Sequence, residues 1–116
     1  MTTKEQPFHY QLDQNGIVTV TMDMQGSVNR MIREFMPLLA QTVTRLQSQQ
    51  GLTGVIIASA KKSFFAGGDL EWLRSVEPHQ AQDLFAQVEE MKASFRALEK
   101  LPVPVVAAIN GSAVGG

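Results

Sequence analysis

Two glycine-bearing turns, each closing an apolar run, constrain this chain more than any other feature. The first, Phe64-Phe65-Ala66-Gly67-Gly68-Asp69-Leu70, follows Val55–Ala58. The second, Ile109-Asn110-Gly111-Ser112-Ala113-Val114-Gly115-Gly116, grows out of Val103–Ile109. Short apolar runs bounded by turn residues read as buried strands. If the two strands are neighbours, their small-residue turns aim bare backbone N–H groups at one point. A carbonyl oxygen that gains negative charge needs such a pair of donors. Each segment alone has a plainer explanation. A tight strand-to-helix turn uses glycine for its backbone angles, and small residues permit close packing of helix on strand. Neither segment carries the G-x-G-x-x-G or Walker pattern of a phosphate cradle.

The remaining pattern supplies the frame. Phe8–Leu12 and Ile17–Met22 flank Asp13-Gln14-Asn15-Gly16, and Asn-Gly between strand-like runs predicts a β-hairpin. A loop over Asp23–Asn29 leads to a helix expected at about Met31–Gln49. Met31, Phe35, Leu38, Leu39, Thr42 and Leu46 share one face at helical spacing. Pro37 conflicts with that span, so the helix either kinks there or becomes regular only near Phe35. Asp69 is placed to cap a short helix, Leu70–Ser75. Glu77-Pro78 interrupts it, and a long helix follows over about Gln80–Lys100. Its seam is Leu84, Val88, Met91, Phe95 and Leu98. The order β-β-α-β-α-α-β, with helices between apolar strands, predicts an α/β layered fold with parallel crossovers. The chain stops after a strand where a helix ought to begin. Residues 1–116 are therefore expected to be part of a larger unit, because an uncovered buried strand exposes apolar surface.

Composition narrows the function classes. The chain is 44% apolar and 18% charged, as a packed core requires. A net charge of −1 gives no general attraction to nucleic acid or anionic membrane. Cysteine is absent, which excludes disulfides and thiolate metal sites and fits a reducing cytoplasm. No metal site is expected. The first seven residues have no apolar stretch of the signal-peptide kind, and the apolar run Pro102–Ile109 is far too short to span a bilayer.

Taken together, SAKKSFFAGGDLEWL and PVPVVAAINGSAVGG resemble the two signature segments of the crotonase superfamily, the enoyl-CoA hydratase/isomerase group. Gly26-Ser27-Val28-Asn29-Arg30-Met31 resembles the approach to that family's first helix. The likeness runs in the right order over nearly the whole chain. Within the family it looks closer to the hydratase end of multifunctional fatty-acid oxidation α-subunits than to single-domain hydratases. It implies a crotonase-like ββα-repeat fold, with residues 1–116 as the N-terminal part of the domain, ending within the second glycine run.

The resemblance also implies the chemistry. The thioester carbonyl of an acyl-CoA sits between two backbone N–H donors, carried here onto Gly68 and Gly116. Ser27, Val28, Ala66 and Gly67, together with Gly68, match the family's coenzyme A contacts. Coenzyme A enters as part of the substrate and no other cofactor is implied for this segment; NAD belongs only to a downstream dehydrogenase domain, if one follows. The family's two acid/base glutamates fall beyond residue 116, so the segment by itself is expected to bind but not to hydrate. A homo-oligomer, or a complex with a thiolase subunit, is implied for the longer protein. Isomerase, hydrolase and non-catalytic acyl-CoA-binding members share the donors and stay open.

Other candidates are weaker. Glu71, Glu77, Glu89, Glu90 and Glu99 read as solvated faces. His9, on an expected edge strand, and His79 stand apart from any carboxylate pattern, which favours surface or core roles. Ser112 lacks a His/Asp partner and the nucleophile-elbow spacing. Lys61 and Lys62 either meet coenzyme A phosphates or form a solvated pair. Trp72 is expected to pack the short helix against the acyl pocket or a neighbouring subunit.

Overall fold

The computed structural model describes residues 7–116. Residues 1–6, most of the N-terminal stretch considered above, lie outside the described residues. The elements are β1 (Phe8–Leu12), β2 (Ile17–Met22), α1 (Phe35–Gln47), β3 (Gly54–Ser59), α2 (Leu70–Ser75), a 3₁₀ turn (Pro78–Gln80), α3 (Ala81–Glu99) and β4 (Val105–Ala107). One sheet runs in the order β1-β2-β3-β4. β1 is antiparallel to β2, with Phe8 opposite Met22, whereas β2, β3 and β4 are mutually parallel. The two helix-containing connections are the parallel crossovers expected from the element order.

The hairpin forms as its turn chemistry dictates. The Asp13 carboxylate accepts from the N–H groups of Asn15 (2.8 Å) and Ile17 (2.9 Å). Gly16 takes φ +86°, in the left-handed region. Thr53 then fastens this tip to the start of β3: its N–H donates to Gly16 O (2.8 Å) and its hydroxyl to Asn15 O (2.8 Å).

Helix α1 begins at Phe35, so the regular part starts where Pro37 permits. Pro37 is its third residue. Backbone N–H groups in the first turn have no intrahelical acceptor, so proline there removes no hydrogen bond and no kink is needed. Because Met31 is not helical, the buried face is also rotated: it consists of Phe35, Met36, Leu39, Val43 and Leu46, where Leu38 and Thr42 had been expected. The α3 seam is as expected in direction but only half-buried.

The last strand is shorter than Val103–Ile109. Pro102 and Pro104 have no N–H to give to a ladder, and β4 pairs with β3 only from Val55↔Val105 to Ile57↔Ala107. Val106, Ile109 and Val114 remain 56–62% exposed.

The core lies between the sheet and the α1/α3 layer. Phe35 joins its parts, with ring centroids 5.9 Å from Phe8, 5.3 Å from Phe65 and 6.4 Å from Phe95. Such offset and tilted contacts suit aromatic quadrupoles. A second cluster, Val18, Val20, Leu46, Val55 and Leu101, fills the other end. Both glycine turns therefore leave the same end of adjacent parallel strands, β3 and β4.

Candidate functional site: the glycine corner

Beyond β3 and β4 the ladder continues as isolated bridges. Phe65 pairs with Ala113 and Met31 pairs with Gly68, both in parallel. The N–H groups of Phe64 and Phe65 share Ser112 O (2.8 and 3.1 Å), and Val114 N–H returns to Phe65 O (3.1 Å). On the other side Ala66 N–H donates to Asn29 O (2.8 Å), Met31 N–H to Gly67 O (2.7 Å) and Asp69 N–H to Met31 O (3.2 Å). The segment 64–69 thus lies between a strip at 29–31 and the strip at 112–116.

This bonding fixes where the Gly68 N–H points. The Gly67–Gly68 peptide is trans, as no cis bond occurs among the described residues. In a trans peptide, C=O and N–H point in opposite directions. Gly67 O faces Met31, so the Gly68 N–H faces away from it. Among the described residues no backbone acceptor is found for it, nor for the Gly116 N–H. Gly68 and Gly116 are both exposed, and an exposed donor without a protein partner is available to a ligand.

The absence of side chains brings the two turns together. Gly67 and Gly115 have φ +83° and +71°. A β-carbon on Gly115 would stand 2.8 Å from Gly67 Cα, and one on Gly67 3.3 Å from Val114 O. Gly116 lies against the Met31 methyl group and near the Phe65 ring. Met31 therefore touches both turns, through its backbone on one side and its side chain on the other.

The remaining candidates fall around this corner. Ala66 is half-buried with its N–H committed to Asn29, and Gly67 is buried. Ser27 is exposed and Val28 half-buried, just before the 29–31 strip. Asp69 caps α2 as expected, accepting from Glu71 N–H (3.0 Å) and Trp72 N–H (3.3 Å). The glutamates at 71, 77, 89, 90 and 99 are exposed. An apolar cavity of about 300 Å³ borders Phe64, Phe65, Gly115 and Gly116, and no acid or base lines it.

Two expectations are corrected. His9 is not isolated from carboxylates: its Nε2 lies 3.0 Å from Asp23 Oδ2. His79 also stands 3.9 Å from Glu77, on the surface. Lys61 is not half of a solvated pair. Its ammonium is 3.0 Å from Asp23 Oδ1 with only 15% of the side chain exposed, whereas Lys62 is exposed. Sequence distance hid the Asp23 pairings, because Asp23 is far from His9 and Lys61 in the chain and meets them only across the sheet. The hydrogen bond from His9, then that from Lys61, holds the Asp23 carboxyl below the ordinary carboxylate range.

Asn29 lies directly behind the corner, where its carbonyl holds the Ala66 N–H. It is the buried polar residue of the described chain, at 0% exposure. An asparagine after Gly-Ser-Val reads as an ordinary loop residue, so no local signal marks it.

Comparison with known proteins places this chain in a family. The family model described as "Enoyl-CoA hydratase/isomerase" matches residues 13–116. The chain belongs to the enoyl-CoA hydratase/isomerase family. It is similar to the fatty acid oxidation complex subunit alpha of Shewanella loihica, 41% identical over 105 residues, covering 88% of this chain and 14% of that protein. It is also similar to the subunit alpha of Idiomarina loihiensis, 33% identical over 116 residues, covering 98% of this chain and 16% of that protein. The chain thus spans about one-seventh of the length of these curated relatives. Among solved structures, an enoyl-CoA hydratase from Shewanella pealeana superposes with a TM-score of 0.82 at 20% identity, over 95% of this chain and 41% of that one. An enoyl-CoA hydratase from Mycobacterium smegmatis gives 0.76 at 25% identity, over 90% and 40%. The expected fold class, α/β of the crotonase type, is therefore the fold of this chain. No helix among the described residues is long and apolar enough to cross a membrane.

Proposed function

We propose that this chain is the acyl-CoA-binding, N-terminal part of an enoyl-CoA hydratase domain acting in fatty-acid β-oxidation. The thioester oxygen is received by the N–H groups of Gly68 and Gly116. Ser27, Val28, Ala66 and Gly67 flank the coenzyme A. The observation that carries this reading is the Gly67–Gly68 peptide, whose carbonyl is held by Met31 while its N–H faces outward without a protein acceptor. A thioester oxygen turning enolate-like gains most from such a donor, and loss of one costs ~2.7–4 kcal/mol of barrier.

The chemistry available inside the chain ends there. Asp69, the acid next to the glycines, is engaged as a helix cap. The base that adds water and the acid that delivers the proton belong, in this reading, to residues outside the chain. Names of the relatives support a place in a longer α subunit. In such a protein a downstream NAD-dependent dehydrogenase would oxidise the 3-hydroxyacyl product, and a thiolase subunit, or further copies of the chain, would complete the assembly in the cytoplasm. The engagement of Asp69 also favours a second reading for the chain by itself, a binding module without turnover.

Calorimetric titration with butyryl-CoA and with free coenzyme A tests the proposal. Tighter binding of the thioester is expected, with no hydration of crotonyl-CoA above a buffer blank. Equal affinity for the two ligands would remove the thioester from the reading.

A further inference from the structure

The Asn29 carboxamide connects the end of β2, the end of β3 and the start of the glycine turn. Its Oδ1 accepts from Met24 N–H (3.0 Å). Its Nδ2 lies 2.9 Å from Ser59 Oγ and 3.3 Å from both Met22 O and Phe64 O. Ser59 passes the link on: its hydroxyl donates to Ser63 O (2.7 Å) and accepts from Lys61 N–H (3.0 Å). The Asn29 carbonyl also takes the Ala66 N–H. Through its side chain and its own carbonyl, Asn29 thus joins the end of β2, the end of β3, and the glycine loop at Phe64 and Ala66.

We infer that Asn29 is a positioning residue for the Gly68 N–H. The strip 29–31 is the template on which residues 64–69 are laid. Met31 sets the Gly67–Gly68 peptide plane, and the Asn29 side chain fixes the strip relative to the two strands. A buried amide with all its bonds made has one low-energy placement, since each alternative leaves a polar group unpaired. Asn29 touches no substrate in this account and acts through the backbone of the loop. The inference rests on the thioester reading for its consequence, but not for its geometry.

Two variants divide these parts. Asn29→Asp keeps the shape but turns the donor Nδ2 into an oxygen facing Met22 O, Phe64 O and Ser59 Oγ. Ser59→Ala removes a single arm and spares the asparagine. Amide exchange by NMR is read for Ala66 and Asp69, with the β1–β2 hairpin and α1 as internal references. Ligand affinity is read for butyryl-CoA against its S-butyl thioether, which lacks the carbonyl oxygen. In Asn29→Asp, Ala66 and Asp69 should lose ~10-fold in protection beyond any loss at the references, the worth of about one hydrogen bond. The preference for thioester over thioether should fall toward one, while thioether affinity holds. Ser59→Ala should move both readouts the same way by roughly 2- to 3-fold. If Asn29→Asp does not fold, Ser59→Ala alone decides. Unchanged protection at Ala66 and Asp69 in the folded variants, or a fall no larger than at the references, overturns the inference. A parent chain with no thioester preference would overturn the thioester reading instead, and the exchange data would still decide on Asn29.

Discussion

The hairpin tip and the glycine corner use the same backbone device for opposite ends. Gly16 and Gly67 have nearly equal positive φ, +86° and +83°. At the tip both backbone groups of the glycine are engaged, as is the N–H that follows it: Gly16 N–H donates to Asp13 O (3.2 Å), Gly16 O accepts from Thr53 N–H (2.8 Å) and Ile17 N–H donates to the Asp13 carboxylate (2.9 Å). At the corner the carbonyl of Gly67 is held but the following N–H is left over. A turn that satisfies its own polar groups is scaffold. A turn that uses its missing side chains for close approach, and leaves a donor unpaired, fits the ligand role proposed for the corner. Glycine content alone does not separate the two; the hydrogen-bond ledger does.

The strongest test of that contrast is Gly68→Pro, which deletes the spare donor. In an active enzyme containing this segment, kcat should fall by ~10²–10³-fold with a much smaller change in KM, because the donor matters most in the transition state. A thermal melt near that of the parent is the control. Near-normal kcat in a folded variant would mean that the corner is scaffold like the tip.

Gly16→Ala should do the reverse. A β-carbon there would collide with Gly51 O and stand 3.0 Å from the Thr53 side chain, at a φ that alanine adopts poorly. Left-handed geometry and the clash together should cost ~2 kcal/mol or more in chemical denaturation. Thioester preference in the folded protein should be untouched. Loss of that preference without loss of stability would break the division of roles.

Gly68→Ala sharpens the comparison. Gly68 is not among the positive-φ residues, and an added β-carbon meets only the Leu73 side-chain end at 3.3 Å. The N–H survives and a flexible side chain has to yield slightly. A stability change within ~1 kcal/mol and retained thioester binding are expected. A response as severe as that of Gly68→Pro would show that crowding, not the missing donor, is what the loop cannot tolerate.

The smallest effect comes from the cluster that ties the open end of the hairpin to the start of the glycine loop. Asp23 joins His9 on β1 to Lys61 at the foot of the glycine loop. A carboxylate with a depressed folded pKa adds stability above its ordinary range and loses it as pH falls through the lower folded value. The loss therefore falls below pH ~4. The cluster is partly solvated, so Asp23→Asn should cost no more than ~0.5 kcal/mol near neutrality. It should also flatten the acid limb of the stability profile. An unchanged acid limb would remove Asp23 as a link.

What could be read from the chain divides along the same line. The hairpin, helix α2 and the Asp69 cap depend on bonds between residues a few positions apart, and turn and capping chemistry specified them. So did the adjacency of the two glycine turns, because parallel crossovers bring successive strands together. The start of α1 was ambiguous because Met31 fits a helical face equally well, and only its bonds to Gly67 and Asp69 hold it in extended form. Asn29, and the pairing of Asp23 with His9 and Lys61, depend on contacts across the sheet. No spacing rule encodes those, so the polar links behind the corner were hidden while its glycines were plain.

The central claim is that the free N–H groups of Gly68 and Gly116 receive a thioester oxygen. Backbone amide NMR during titration with butyryl-CoA tests it most directly, with the S-butyl thioether as the control ligand. The account predicts downfield shifts of the Gly68 and Gly116 amide protons with the thioester, little response to the thioether, and no shift at Gly16 with either. Saturable binding that leaves the Gly68 and Gly116 amides unmoved, or moves them equally with the thioether, would contradict it.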